Sequence, residues 1–174
     1  MPFSVSADQS DLAAYKAGDM LVGSTLDVKP TSGVVNISAR HVMSRIKITL
    51  KPGNGFTANE LADGKASVRI NGLKTQATVN LSTATVTATG SATSVTPHYD
   101  NGSYEAIIVP QTMAEGNLIT VTVGGHEYNL VKAIDLKGGK EYPVTVTLTR
   151  TNTGINVGIT SWEDDGIDYG GTAE

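Results

Sequence analysis

Residues 142–149, Tyr-Pro-Val-Thr-Val-Thr-Leu-Thr, indicate the fold class of this chain most clearly. The apolar positions Tyr142, Val144, Val146 and Leu148 alternate with Pro143, Thr145, Thr147 and Thr149. An alternation with a period of two places one face of a strand against a core and the other face in water. Threonine is β-branched and favours the extended backbone. The segment therefore predicts a half-buried β-strand.

The same alternation recurs along the whole chain. It is present in residues 45–50, 68–70, 77–81, 84–89 and 119–123. Residues 105–109 differ, because Ile107, Ile108 and Val109 are apolar without a break, and this pattern predicts a central strand covered on both faces.

Turn signals separate these segments at short intervals. They are residues 51–55, Asn71-Gly72, residues 100–102, Gly124-Gly125 and Gly138-Gly139. Many short strands joined by glycine-containing turns predict an all-β sandwich or barrel. Helix is confined to two short turns, one opened by the capping box of residues 57–60 and one at residues 11–16.

The composition excludes several functional classes. The chain has 174 residues and a net charge of -4, and its aromatic fraction of 5% means that the core is built from aliphatic side chains. Lysine and arginine form no cluster, so no nucleic-acid surface is expected. Cysteine is absent, which removes disulfides and thiol chemistry. No apolar run is long enough to cross a bilayer, so no membrane insertion of this segment is expected, and the first residues lack the features of a signal peptide.

Several segments, taken in order, carry a resemblance to a known family. They are residues 7–10 (Ala-Asp-Gln-Ser) with Tyr15 and residues 19–21, residues 41–48, 71–75, 108–112 (Ile-Val-Pro-Gln-Thr) and 139–142, and residues 159–162 with the acidic residues after them. Their order and spacing resemble the fimbrillin-like (Mfa-like) subunits of surface pili from anaerobic gut and oral Gram-negative bacteria.

The resemblance implies a transthyretin-like Greek-key β-sandwich that joins other fimbrial subunits head to tail by β-strand exchange. It also implies export as a lipoprotein, display on the cell surface, and no enzyme activity. Members of the family usually carry a further half before the segment that resembles residues 7–10. We therefore expect residues 1–18 to be an entry segment from a missing or trimmed preceding part, residues 19–162 to form the sandwich, and residues 163–174 to form an acidic tail.

The end of the chain contains the candidate assembly residues. Ile155, Val157 and Ile159 alternate with polar or small residues, and Trp162 follows as a large anchor. This segment is either a donor strand for another subunit or the last strand of its own sandwich. Further along, Ile167 and Tyr169 are candidates for docking into a neighbouring subunit.

Other sites have weaker sequence support. The three histidines have no partner at metal-ligand spacing, and no motif for catalysis, phosphate or a dinucleotide cofactor occurs. Residues 163–168 offer carboxylates for calcium, although a solvated tail explains them as well. Tyr99, Tyr104 and Tyr128 suggest either a sugar-binding platform or ordinary cross-strand packing. A fimbrial tip adhesin, or a surface sandwich that binds carbohydrate or protein, is therefore the alternative function.

Overall fold

The structure is a computed structural model that describes residues 1–24, 34–62, 65–151 and 154–158, with the backbone alone for Thr151 and residues 154–158. The strands are β1 (Pro2–Ser4), β2 (Leu21–Gly23), β3 (Ala39–His41), β4 (Ser44–Pro52), β5 (Ala66–Asn80), β6 (Thr85–Val95), β7 (His98–Asp100), β8 (Ser103–Ile108), β9 (Gln111–Met113), β10 (Asn117–Val123), β11 (His126–Val131), β12 (Ile134–Leu136), β13 (Glu141–Thr151) and β14 (Gly154–Gly158). Helix α1 spans Leu12–Ala17, and a 3₁₀ turn spans Ala58–Glu60. The predicted all-β fold with one or two short helical turns is confirmed.

Two five-stranded sheets form the sandwich. In the first sheet, β11 pairs with β10 and β10 with β5, and β5 also pairs with β6 and β1. The second sheet has the order β14-β13-β4-β8-β7. Its strands are antiparallel except for β4 and β13, which run parallel. Two small sheets, β2-β3 and β9-β12, complete the pairing. The transthyretin-like Greek-key connectivity remains a prediction.

The main core lies between the two sheets and is almost entirely aliphatic. In β4, Ile46 and Ile48 are buried while the residues between them are partly exposed, as the alternation predicts. Strand β8 is buried at every position, which confirms that it is a central strand. A second core, smaller than the first, consists of Val5, Val22, Val42, Met43, Ala77, Val79, Ile107 and Val109.

Strand β5 corrects one sequence prediction. Asn71-Gly72 was expected to be a turn between two strands, but it lies inside the single 15-residue strand β5 as a register irregularity. Gly72 has φ +72, a conformation that glycine adopts without strain. The Asn71 side chain donates to Thr120 and accepts from Ser94 on the two flanking strands. Pairing on both sides therefore keeps the backbone extended through a dipeptide that elsewhere makes a hairpin.

The N-terminal residues belong to the folded unit. Strand β1 pairs with β5, and Asp11 caps α1 by accepting from the backbone of Ala13 and Ala14. In the 3₁₀ turn, the Glu60 carboxylate accepts from both the N–H and the hydroxyl of Thr57. Among the residues that the structure describes, no helix has the length and apolarity needed to cross a membrane.

Candidate functional site

The predicted donor segment begins in a strand of its own chain. The backbone of β14 pairs antiparallel with β13, so that Ile155 lies opposite Arg150 and Val157 opposite Leu148. This arrangement places residues 154–158 at the edge of the second sheet. Ile159, Trp162, Ile167 and Tyr169, with the acidic residues 163–168, lie outside the described residues, and an exchange role for any part of the segment remains a prediction.

A second strand edge is occupied by β1. Three residues of β1 pair with Gln76, Ala77 and Thr78 of β5. The ladder is extended on either side, because the Val79 N–H donates to the carbonyl of Met1 and the Val5 N–H donates to the carbonyl of Thr75. Val5 is buried in the second core, and Phe3 packs against that core. A short strand thus satisfies one edge of β5 and also covers apolar side chains.

A glutamine side chain closes the same edge of β5 at Lys74, just before the residues of β5 that pair with β1. The Gln111 amide accepts from the N–H of Lys74 at 2.9 Å and donates to the carbonyl of Lys74 at 3.0 Å. Lys74 lies between the part of β5 that pairs with β10 and the part that pairs with β1. A side-chain amide carries one donor and one acceptor group, as a peptide unit does. Gln111 therefore takes the place of one strand residue.

Gln9 caps the second sheet in the same way. Its side chain accepts from the N–H of Ile107 at 2.9 Å and donates to the carbonyl of Ile107 at 2.8 Å, with a further bond to the Ser6 carbonyl. Ile107 extends β8 beyond the three residues that pair with β7. Unlike Gln111, Gln9 is fully buried at 0% exposure. The backbone groups of Ile107 are thus satisfied where no strand reaches them.

Sequence reasoning assigned no role to these two glutamines. Both lie in segments that carried the family resemblance, residues 7–10 and 108–112, so the resemblance marked their positions. A local pattern does not reveal which strand a glutamine side chain will reach. Their contacts therefore emerge only from the fold.

A buried carboxylate lies beneath helix α1. Glu105, with its side chain 8% exposed, accepts from Arg45 at 2.6 Å and from the Tyr15 hydroxyl at 3.1 Å, and it lies 3.4 Å from the ammonium of Lys47. Burial opposes ionisation of Glu105, yet the hydrogen bond and charge of Arg45 lower its pKa overall. Burial raises the pKa of Tyr15 to about 12. The network fixes α1 on β8.

Beside this network, a cleft of about 510 Å³ opens between α1 and the starts of β4 and β13. Its polar lining includes Lys16, Asp19, His41, Arg45, Lys140 and Glu141. The imidazole of His41 lies 2.7 Å from the carboxylate of Asp19, and Arg45 lies 3.1 Å from Glu141. In the part of the chain that the structure describes, no group of three or more histidine or acidic side chains could hold a metal ion. The cleft thus offers charges of both signs to a polar ligand.

The three tyrosines do not form a surface platform. Tyr99 and Tyr104 are cross-strand neighbours with ring centroids 4.8 Å apart, as the packing alternative predicted. Tyr104 is buried and donates to the carbonyl of Ala66, and Tyr128 is buried against Phe56. Tyr104 and Tyr128 belong to the main core, and Tyr99 packs against it.

The fold and its edge contacts define a β-sandwich module in which short strands and side-chain amides close several strand edges. A sequence model of the family described as fimbrillin-like matches residues 1–162, and the chain belongs to that family. The predicted family is thereby confirmed.

Solved structures support the same fold. A candidate cell adhesion protein from Bacteroides uniformis is 27% identical, with a TM-score of 0.57 over 71% of this chain and 51% of that one. Another candidate cell adhesion protein, from Bacteroides ovatus, is 23% identical, with a TM-score of 0.54 over 73% of this chain and 46% of that one. The chain thus spans about half the length of these proteins. No curated protein matches the sequence.

Proposed function

We propose that this chain forms part of a structural subunit of a bacterial surface fimbria and joins other fimbrial subunits by β-strand exchange. Membership of the fimbrillin-like family and the 27% identity to a candidate adhesion protein support this proposal. Export to the cell surface through the outer membrane and the lack of enzyme activity belong to the same proposal. So do the predicted domain limits, an entry segment at residues 1–18, a sandwich at 19–162 and an acidic tail at 163–174, with β1 of the entry segment paired onto the first sheet.

One observation carries the exchange mechanism. Strand β1 and its flanking residues Met1 and Val5 form a short ladder with β5, and Phe3 and Val5 cover part of the second core. Strand exchange requires a segment that can leave as a unit and whose replacement restores both the ladder and the apolar contacts. Among the strands that the structure describes, β1 combines these two properties at a sheet edge.

The donor in this proposal is the C-terminal segment of a neighbouring subunit. Its apolar positions Ile155, Val157, Ile159 and Trp162 supply the alternation that a strand edge accepts, and Ile167 and Tyr169 add further apolar groups. Burial of apolar surface contributes about 25 cal/mol per Å² before the entropic costs of association are deducted. A donor longer than β1 can therefore compete with it.

Thermal unfolding with a synthetic peptide of residues 154–174 tests the proposal. We expect the peptide to raise the melting temperature of a chain that begins at Ser6, because a ligand of the native state stabilises it by mass action. The full chain should respond less, since β1 competes for the same edge. A peptide with Ile155, Val157 and Ile159 replaced by Asn is the control. If circular dichroism shows both chains folded and neither is stabilised, exchange at this edge is excluded.

The cleft beside α1 favours a second candidate, a fimbrial tip adhesin or a surface sandwich that binds carbohydrate or protein. Its mixed charges and its volume of about 510 Å³ suit a polar ligand of small size. A glycan array probed with the chain and with a Lys16→Ala variant tests this candidate. Selective binding that the substitution abolishes would support it, and an array without selective binding would refute the carbohydrate form.

A further inference from the structure

Strand β6 is an edge strand without the usual protection. Its sequence, Thr-Val-Thr-Ala-Thr-Gly-Ser-Ala-Thr-Ser-Val, contains no charged residue and no proline over 11 residues. Natural proteins commonly guard such edges with charged side chains or proline. Within the described residues, β6 pairs with β5 alone. Its outer edge therefore presents unpaired backbone donors and acceptors to solvent.

The other described edges are protected in different ways. Gln111 and Gln9 close those at Lys74 and Ile107. Strands β1 and β7 are each three residues long, and β11 carries the charged Glu127 and lies next to β14. Among these edges, that of β6 is therefore the one most open to pairing with a strand from another chain.

The two faces of β6 can be read from its pairing with β5. Ala88 lies opposite the buried Ala77, and Thr93 lies opposite the buried Leu73, so both belong to the inner face by their register, although Thr93 is exposed at the strand edge. The exposed Lys74 places Ala92 on the outer face. A register shift between Thr89 and Ala92, where Gly90 has φ +78, explains why residues 88 and 93 share a face despite their odd spacing.

We propose that the β6 edges of two copies of this chain pair antiparallel around a two-fold axis between Gly90 and Ser91. Directly opposed residues of an antiparallel pair share a face. The pairs that satisfy this rule are Val86 with Val95, Thr87 with Ser94, Ala88 with Thr93, and Thr89 with Ala92. The irregularity lies on the axis, so both copies contribute it at the same place and the faces match on either side.

The chemistry of the opposed residues fits a second copy of the chain. Valine lies opposite valine on the inner face, and hydroxyl residues lie opposite each other or opposite alanine. No like charges meet, because β6 has none. A two-fold contact of this kind is closed and uses the same surface on both partners. It does not depend on strand exchange at β1, so either proposal can stand without the other.

The absence of cysteine in the chain allows a register-specific test. A Thr89→Cys chain mixed with an Ala92→Cys chain should form a disulfide-linked dimer under mild oxidation, because these positions are opposed. Either variant alone should stay unlinked. In a dimer of two identical variants, the two cysteines are offset by three residues, about 10 Å along the strands, which is beyond the reach of a disulfide. A Thr87→Cys chain mixed with Ala92→Cys is the out-of-register control and should stay unlinked.

Sedimentation velocity of the unmodified chain provides the second measurement. We expect a reversible monomer–dimer equilibrium that Thr87→Lys shifts towards monomer. Thr78→Lys, opposite Thr87 on the neighbouring strand β5 and not on the free edge itself, should leave it unchanged. A chain that stays monomeric at all concentrations, or cross-linking that is equal in every mixture, would overturn the proposal. So would open-ended oligomers, because a two-fold contact stops at the dimer.

Discussion

Replacing Gln9 with Ala tests whether a side chain can complete a sheet in place of a strand. The substitution removes the two hydrogen bonds that the Gln9 amide makes with Ile107, at 2.8 and 2.9 Å, and the 3.0 Å bond to Ser6. Because Gln9 is fully buried, water does not reach the groups left behind unless the structure rearranges. The N–H and carbonyl of Ile107 then lose their partners inside the protein.

The expected cost is large relative to the stability of a domain. An unsatisfied buried polar group costs about 1–3 kcal/mol, so two such groups cost about 2–6 kcal/mol, and a small cavity adds to this loss. Whole domains have unfolding free energies of about 5–15 kcal/mol. Urea denaturation followed by circular dichroism measures the loss as a shift in midpoint at constant m-value.

Gln111→Ala is the matched control. Gln111 makes the same two bonds with Lys74 and a third with the carbonyl of Val109, but in a partly exposed position where water can replace the amide. Its loss should cost only about 0.5–1.5 kcal/mol. If both variants lose the same free energy, burial does not determine the value of these caps. Gln9→Glu adds a check with a pH dependence, because an ionised carboxylate cannot donate to Ile107, so this variant should gain stability as the pH falls.

Burial opposes ionisation of Glu105, but Arg45 lowers its pKa below the usual 4.5. The unfolding free energy should therefore fall as acid protonates Glu105. Glu105→Gln should flatten this dependence in urea titrations between about pH 7 and pH 3. Burial raises the pKa of Tyr15 from 10.0 to about 12. Tyr15 therefore contributes stability that is lost as the pH rises from about 10 to 12. The unfolding free energy of Tyr15→Phe should fall less than that of the unmodified chain over the same pH range. Gly72→Ala should cost about 1–3 kcal/mol, because φ is +72 and a Cβ would lie 3.0 Å from Met113, whereas Gly116→Ala, whose nearest atom is 3.9 Å away, should stay within about 0.5 kcal/mol in thermal melts.

The strands were predictable because their faces are set by local alternation. In β13, Val144, Val146 and Leu148 are buried and Tyr142 is partly buried against the main core, as the alternation predicts. The Asn101-Gly102 hairpin places Tyr99 opposite Tyr104, as expected. Both Asn101 and Gly102 have positive φ, the requirement of the tight turns that this dipeptide favours. Which face of a strand is buried depends on the order of residues next to one another in the chain, so the sequence alone was sufficient to predict it.

Contacts between distant segments were not predictable in this way. Asn71-Gly72 has the signature of a hairpin, and only the flanking strands β6 and β10 keep it extended inside β5. The Gln9 cap joins residues 98 positions apart. The geometry of such a contact depends on where two segments meet after folding, which no local pattern specifies.

A strand and a glutamine side chain close a sheet edge with different consequences. A strand that pairs with an edge satisfies it but presents a new edge on its other side. A glutamine amide satisfies a single residue and presents no further ladder, so no strand can be added at that residue. Gln9 and Gln111 therefore close one edge at Ile107 and at Lys74, whereas β1 and β6 extend the first sheet. Both extensions are built on β5. We therefore expect strand pairing through the first sheet at two edges, the edge of β5 that β1 covers and the free edge of β6.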